Sequence, residues 1–375
     1  DRQRFGGAGG DGVMERFADV LTIVNGKNQK KVESPNGKYP IYGSGGIMGE
    51  ADDYICEAET VVIGRKGSIN NPIYVETPFW NVDTAFGLHA DRSKLLPKYL
   101  YYFCINYDFE RLNTTVTIPS LTKANLLNVE IPLPPPEEQR RIAALLDKVS
   151  DLITKRRAQL NKLDLLVKAR FVEMFGDPLL DSGKYPKVPL GSLAEVGSSK
   201  RIFEKEYVSE GVPFYRTKEI VELSKGNRIT TELFITRERY DEISREYGVP
   251  QTGDLLISAV GTIGVIWIVD GKNDFYFKDG NLLRVVTSEK FVPIYLKHLL
   301  ESLIGAYKLE MSSGTAYAAL TISALKELLV YEVPIAEQEQ FAIFVEQIDK
   351  SKLTIQQSLD KLETLRKSLM QEYFG

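Results

Sequence analysis

Cysteine and histidine are nearly missing from this chain, with two of each in 375 residues. Cys56 and Cys104 lie far apart and outside any C-x-x-C spacing. That excludes a disulfide framework and a thiolate zinc site, and makes a reducing cytoplasm the expected compartment. Also missing is any apolar run of the roughly 18 to 20 residues that a bilayer span requires, or a basic-then-apolar leader, so no membrane partner is expected. Positive charge is not in excess: 47 Lys and Arg stand against 51 Asp and Glu, a net charge of −4. Nucleic-acid binding would therefore have to rest on local patches. The chain is not short of core material, with 43% hydrophobic and 10% aromatic residues, enough for two ordinary domains. Residues 1–13, with five glycines and no initiator Met, read as a flexible tail or an artificial remnant, and patterned sequence begins at Met14.

The sequence repeats itself. Residues 138–176 align without a gap to 337–375, at an offset of 199, with eleven identities in 39 positions. Among them are Glu138/Glu337, Gln139/Gln338, Leu163/Leu362, Phe175/Phe374 and Gly176/Gly375. Upstream, "FADVLTIVNGK" matches "LGSLAEVGSSK", "VVIGRKGSI" matches "LLISAVGTI" and "PKYLYYF" matches "PIYLKHL", at offsets that change between blocks. Conserved patterns separated by stretches of changing length are what duplication of a domain with free surface loops produces.

Each copy ends in a long helix. Ile142, Leu146, Val149, Ile153, Arg156, Leu160, Leu163, Val167, Arg170 and Met174 fall at 4,3 spacing, the apolar seam of a coiled coil. The second copy repeats it as Phe341, Val345, Ile348, Lys352, Ile355, Leu359, Leu362, Arg366, Leu369 and Tyr373. "PLPPPEE" starts the first helix and "FGDP" stops it. A helix of about 37 residues is roughly 55 Å long. Its seam would stay wet alone, and the nearest available partner is its own repeat. The alternative is that each helix packs flat on its own globule. The globular segments read as mixed α+β: "ETVVIGRKG", "DLLISAVG" and "GVIWIVDG" as strands, "PKYLYYFCINYDFERL" and "VPIYLKHLLESLIGAYKLEM" as Pro-initiated helices, with strand direction left open.

The predicted organisation is a globular domain over 14–136, a long helix over 137–176, a linker over 177–189, a second globular domain over 190–336 and a second long helix over 337–375.

Enzymatic signals dissolve on inspection. "NPIY" at Asn71–Tyr74 departs by one letter from the N-P-P-Y signature of amino-methyltransferases, and "YGSGGIMG" lacks G-x-G-x-x-G spacing. His89 and His298 are not at equivalent repeat positions, so no His relay or metal pair recurs. Asp83 and Asp279 do correspond, and read as turn residues before a strand. No catalytic residue and no metal site is assigned.

What recurs are polar, basic, glycine-punctuated loops: "NGKNQKK" with "SSKRIFEK", "GSGG" with "RTKE", and "GRKGSINN" with "SAVGTIGV". Arg, Lys, Asn, Gln, Ser and Thr on such loops suit phosphates and base edges. The candidate DNA-binding residues are Lys27, Asn28, Gln29, Lys30, Lys31, Ser44, Arg65, Lys66, Ser68 and Asn70 in the first copy. In the second they are Lys200, Arg201, Arg216, Lys218, Ser258 and Thr262.

Together, "IPLPPPEEQRRIAALLDKVSDLI", "VPIAEQEQFAIFVEQIDK", "GRKGSI" and "AVGTIG", arranged as domain, helix, domain, helix from Met14 to Gly375, resemble the specificity subunit of type I restriction-modification systems. The resemblance implies two target-recognition domains separated by two antiparallel coiled-coil helices, a pseudo-twofold tandem repeat, each domain reading half of a bipartite site on double-stranded DNA. It further implies that the chain has no catalytic residues and binds no cofactor itself. Two modification (methyltransferase) subunits, carrying S-adenosylmethionine, and two restriction (translocase and nuclease) subunits are the implied partners. The second helix entry departs from the pattern in lacking the triple proline. A different reading of the same residues is a structural adaptor, its helices forming a rod and its domains binding protein or glycan.

Overall fold

A computed structural model describes residues 13–113, 120–180, 184–312 and 319–375. Residues 1–12 of the expected tail, and 181–183 of the expected linker, lie outside it. The chain divides into two compact units, one of residues up to Gln159 with Ile355–Gly375, the other Leu160–Thr354.

The first unit opens with β1 (Val13–Arg16), α1 (Phe17–Val20), β2 (Leu21–Asn25), β3 (Tyr39–Gly43), β4 (Gly46–Ala51), β5 (Thr60–Gly64), β6 (Ile73–Val75), β7 (Trp80–Asn81) and β8 (Ala85–Ala90). Then come α2 (Pro97–Asn106), α3 (Lys123–Leu127), β9 (Glu130–Leu133) and the long helix α4 (Pro136–Phe175). The second unit follows the same plan. It has β10 (Lys187–Pro189), β11 (Glu195–Gly197), β12 (Val212–Tyr215), α5 (Thr217–Ser224), β13 (Phe234–Ile235), α6 (Arg237–Tyr247), β14 (Leu255–Ser258), β15 (Ile266–Ile268), β16 (Tyr276–Phe277) and β17 (Leu282–Val286). It closes with α7 (Pro293–Ser312), α8 (Ile322–Glu327), β18 (Leu329–Tyr331) and the long helix α9 (Ile335–Phe374).

The repeat is a repeat of topology. An antiparallel sheet ordered β2-β8-β5-β6 is matched by β11-β17-β14-β15. A three-stranded sheet ordered β4-β3-β7 is matched by β13-β12-β16, and each contains one parallel pair. The pair β1-β9 is matched by β10-β18. Two strands lie at the edges of the expected divisions: β1 already begins at Val13, and β10 lies within the stretch read as linker.

Each long helix contributes to both units, and within each unit the two helices run antiparallel. In the first unit Ile142 and Leu146 of α4 share a core with Leu369, Met370 and Tyr373 of α9, and Arg157 meets Glu363 at 2.6 Å. In the second, Asp164 meets Lys352 at 2.6 Å and Phe171 meets Phe341 at 5.3 Å between ring centres. Partner numbers fall as chain numbers rise, the mark of an antiparallel pair. The seam positions Ile142, Leu146, Val149, Ile153, Val167, Val345 and Leu359 are buried, and Leu160, Leu163, Ile348, Ile355, Leu362 and Leu369 are half-buried. Leucines off the seam, Leu152, Leu165, Leu166, Leu353 and Leu365, are exposed. Toward the C-terminal end of each helix the buried stripe leaves the 4,3 rungs: Phe171 and Phe175 are buried where Arg170 and Met174 are only half-buried. The equivalent Met370 is buried next to the half-buried rung Leu369. An α-helix advances 3.6 residues per turn, so a straight helix drifts off a 3.5 repeat. The shifted positions Phe171 and Phe175 meet both Phe341 of the partner helix and Tyr295 of the globular core.

Both helices enter at equivalent positions despite the missing prolines. The amides of Glu138 and Gln139 donate to Pro135 O, and those of Glu337 and Gln338 donate to Pro334 O. The side chain of Gln139, fully buried, then accepts from Leu96 N (2.8 Å) and donates to Lys94 O and Pro134 O (both 2.9 Å). Gln338 does the same with Val292 N, Lys290 O and Val333 O. Each glutamine pins the base of a long helix to the start of the helix (α2 or α7) that covers the sheet. No helix among the described residues is long and apolar enough to cross a membrane.

Candidate nucleic-acid interface

In the first unit three loops meet at the short connection between β7 and β8. Lys27 N donates to Asn81 O (2.8 Å), Val82 N donates to Tyr42 O (3.0 Å) and Arg65 N donates to Thr84 O (2.8 Å). Glycine permits the convergence. A Cβ on Gly26 would sit 1.7 Å from Val82 O, and one on Gly64 would sit 2.3 Å from Ser68 O and 3.1 Å from the Ser44 Cβ. Side chains at these places would force the loops apart. The loops carrying Lys27, Ser44, Arg65 and Ser68 thus leave one edge of the unit together.

The second unit builds the same edge from side chains. Ser199 Oγ donates to Phe277 O (2.7 Å), Ser198 Oγ donates to Leu282 O (2.8 Å) and Gly280 N donates to Ser198 Oγ (3.3 Å). Lys278 N donates to Tyr215 O (2.9 Å), and Ala259 N donates to Asn281 O (2.8 Å). The connection between β16 and β17 is therefore the anchor here. The pattern of loops signalled the edge but not these anchors, whose only trace in the sequence is the matched pair Asp83 and Asp279.

The candidate side chains differ in what already holds them. Lys27, Lys30, Lys31, Arg65 and Lys66 are exposed and pair with no carboxylate among the described residues; Arg65 lies 5.7 Å from the centre of the Phe86 ring. Asn28 accepts from Lys30 N (3.0 Å), shaping its own loop. Gln29 and Ser44 are half-buried and Ser68 is exposed. In the second unit Arg201 is bound to Asp279 (2.8 Å), which pushes the guanidinium pKa up, and Arg216 to Glu219 (3.2 Å). Lys200 lies 4.7 Å from the Tyr247 ring centre, while Lys218 and Thr262 are exposed. The first edge thus offers free cations, and the second offers arginines oriented by carboxylates.

Two candidates are structural where the sequence suggested contact with DNA. Ser258 is fully buried: its hydroxyl donates to Thr262 O and accepts from Val265 N (2.9 Å), closing the turn through Gly261 and Gly264. Its counterpart Gly64 achieves the same closure by lacking a side chain. Asn70 spends both ends inside the chain, donating to Asp108 Oδ1 (2.9 Å) and accepting from Phe109 N (2.7 Å). The histidines form no common site. His89 Nδ1 lies 3.0 Å from Thr60 Oγ1, whereas burial and neighbouring lysines hold His298 down at about 4, neutral at pH 7. Among the described residues no group of three or more His, Cys, Asp or Glu could hold a metal ion.

A family model described as the type I restriction modification DNA specificity domain matches residues 13–163 and again 183–364. A Haemophilus influenzae protein assigned as a type I restriction enzyme specificity subunit is 28% identical over 364 residues, spanning 94% of this chain and 87% of its own. The MjaIX specificity subunit of Methanocaldococcus jannaschii is 26% identical, over 82% of this chain and 73% of its own. Among solved structures, the S subunit of a type I restriction-modification system from M. genitalium superposes with a TM-score of 0.62 at 17% identity, covering 97% of this chain and 96% of that one. At that identity the likeness establishes the fold.

Proposed function

We propose, from the premise that this chain belongs to the type I restriction modification DNA specificity family and is a specificity subunit, that each of its two units reads one half of a split DNA site. The observation that carries the reading is the double family match, one for each unit, laid over two loop edges of common topology and different side chains. In the first unit Lys27, Lys30, Lys31, Arg65 and Lys66 supply phosphate contacts, which position a protein on the duplex, while Asn28, Gln29, Ser44 and Ser68 face base edges. In the second, Arg201 and Arg216 are presented by Asp279 and Glu219 in fixed orientation, the arrangement suited to bidentate guanine contacts, with Lys200, Lys218 and Thr262 beside them.

The chain in this reading does no chemistry. It recruits two modification subunits, which carry S-adenosylmethionine, and two restriction subunits, and it binds no cofactor or metal itself. A structure with TM-score 0.56, covering 99% of its own chain, comes from work on complex assembly in the type I R-M system, which supports partner recruitment. The adaptor reading gives way, because the family match spans both units.

Lys30→Ala with Lys31→Ala, in the assembled complex, should lower the slope of log K against log salt by about 1.8, two phosphates at roughly 0.9 each. Binding should weaken uniformly across sequences. An unchanged slope would take this loop out of the interface.

A further inference from the structure

The β3–β4 hairpin in the first unit is buried at its base and bare at its tip. Ile41 is 1% exposed and Ala51 fully buried, in one core with Trp80 and Val82. At the tip Tyr42 pairs with Ile47 and Gly43 with Gly46, and Gly46 has φ +119°. Ile47 is 67% exposed and Met48 60%. Met48 is the extra residue of a β-bulge, between the pairs Ile41–Gly49 and Tyr42–Ile47, and its sulfur lies where a Cβ on Gly43 would sit, so Ile47 and Met48 together present apolar surface at the end of the ribbon. A Cβ placed on Gly45 or Gly46 would meet nothing within 4 Å. The turn is open at Gly45 and Gly46, and beside it the ribbon carries two large apolar side chains where a solvated turn would carry polar ones.

Its surroundings fix the class of partner. Ser44, in the turn, abuts Gly64, the last residue before Arg65 and Lys66. The loop bearing Lys27, Lys30 and Lys31 leaves the same edge. An apolar blade among five cations that pair with no carboxylate among the described residues fits a polyanion with apolar features on its floor. Duplex DNA is such a surface: its major groove, about 12 Å wide, admits a two-stranded ribbon, and the thymine C5-methyl is the apolar group displayed there.

We propose that the β3–β4 tip enters the major groove and that Ile47 and Met48 determine specificity by packing on thymine methyl groups of the half-site read by the first unit. The inference rests on the DNA-reading function proposed above. It applies to one half-site only, because in the second unit β12 runs into α5 (Thr217–Ser224) rather than into a hairpin.

The test uses the complex of this chain with its modification subunits. Each thymine of the target is replaced in turn by uracil, which removes the methyl and leaves base pairing intact. At one or two thymines of the first unit's half-site, uracil should weaken binding about fourfold, the loss of one buried methyl group. Ile47→Ser with Met48→Gln should bind thymine and uracil duplexes alike, with an unchanged salt slope. Both residues are exposed, so the variant should fold as the native chain does. The proposal is overturned if no thymine there is sensitive, if the sensitivity survives in the variant, or if the sensitive thymines lie in the other half-site. Failure of the complex to bind its target duplex in preference to unrelated DNA, whether thymine or uracil is present, would instead overturn the DNA-reading function itself, so the two failures are distinguishable.

Discussion

Gln139→Ala should destabilise the first unit by about 3 to 5 kcal/mol. The side chain is fully buried and makes three hydrogen bonds, and alanine abandons Leu96 N, Lys94 O and Pro134 O in a site closed to solvent. A hydrogen bond contributes about 1 kcal/mol net, but a buried group left unpaired costs about 1 to 3 kcal/mol, so the abandoned partners dominate. Gln139→Glu should be worse than alanine, because it keeps the acceptor for Leu96 N while aiming a buried carboxylate at two carbonyl oxygens. Gln338→Ala should cost a similar amount in the second unit, through Val292 N, Lys290 O and Val333 O. Denaturant unfolding of the single variants measures each cost. A loss below about 1 kcal/mol at either position would mean that water replaces the amide and that the glutamine does not pin the helix. What depends on this is alignment: in each unit the pin fixes the long helix against the element that carries the sheet, so the loop edge keeps a defined orientation to the helix.

Phe175→Ala should remove about 3 to 5 kcal/mol from the second unit, the cost of deleting a buried aromatic side chain. Phe175 is fully buried, with ring centres of Phe171 and Tyr295 at 4.9 Å and of Phe341 at 5.6 Å. Its repeat partner Phe374 meets Tyr99 at 5.1 Å and Phe103 at 6.1 Å but is only half-buried. Phe374→Ala should therefore cost about half as much, since the loss scales with apolar area removed from water. The comparison tests unequal packing in a matched pair: equal costs, or a larger one at Phe374, would contradict it. Both residues end the stripe that docks a helix onto its own unit, so the variants should loosen that docking before they disturb the sheets.

The sequence made some of this legible and hid the rest for physical reasons. The heptad seam was visible because apolar residues recur over many turns, and 4,3 spacing has few competing explanations. The exit of the stripe through Phe171, Phe175 and Met370 was not, because it arises from the small mismatch between 3.5 and 3.6 residues per turn. Sheet order stayed hidden because the parallel pairs β3-β7 and β12-β16 join strands distant in the chain. Among site candidates, the cationic loops stood out by composition, yet whether a cation is free, as Lys30 is, or held, as Arg201 is by Asp279, depends on residues about 80 positions away. Ser258 looked like Ser44 in one dimension. Only the turn through Gly261 and Gly264 shows that its hydroxyl is consumed within the chain. Ile47 and Met48 escaped notice because the bulge at Met48, which breaks the alternation of the strand, is a matter of pairing register that composition does not show.

The central claim is that two bodies of common descent each read their own half of a divided target. The direct test is to map methylated adenines in a genome carrying the full system, first with the native chain and then with residues 14–136 exchanged for those of a family member. The account predicts a two-part sequence with an unread gap, and a change in one part alone after the exchange. A continuous target, or an exchange that alters both parts, would contradict it.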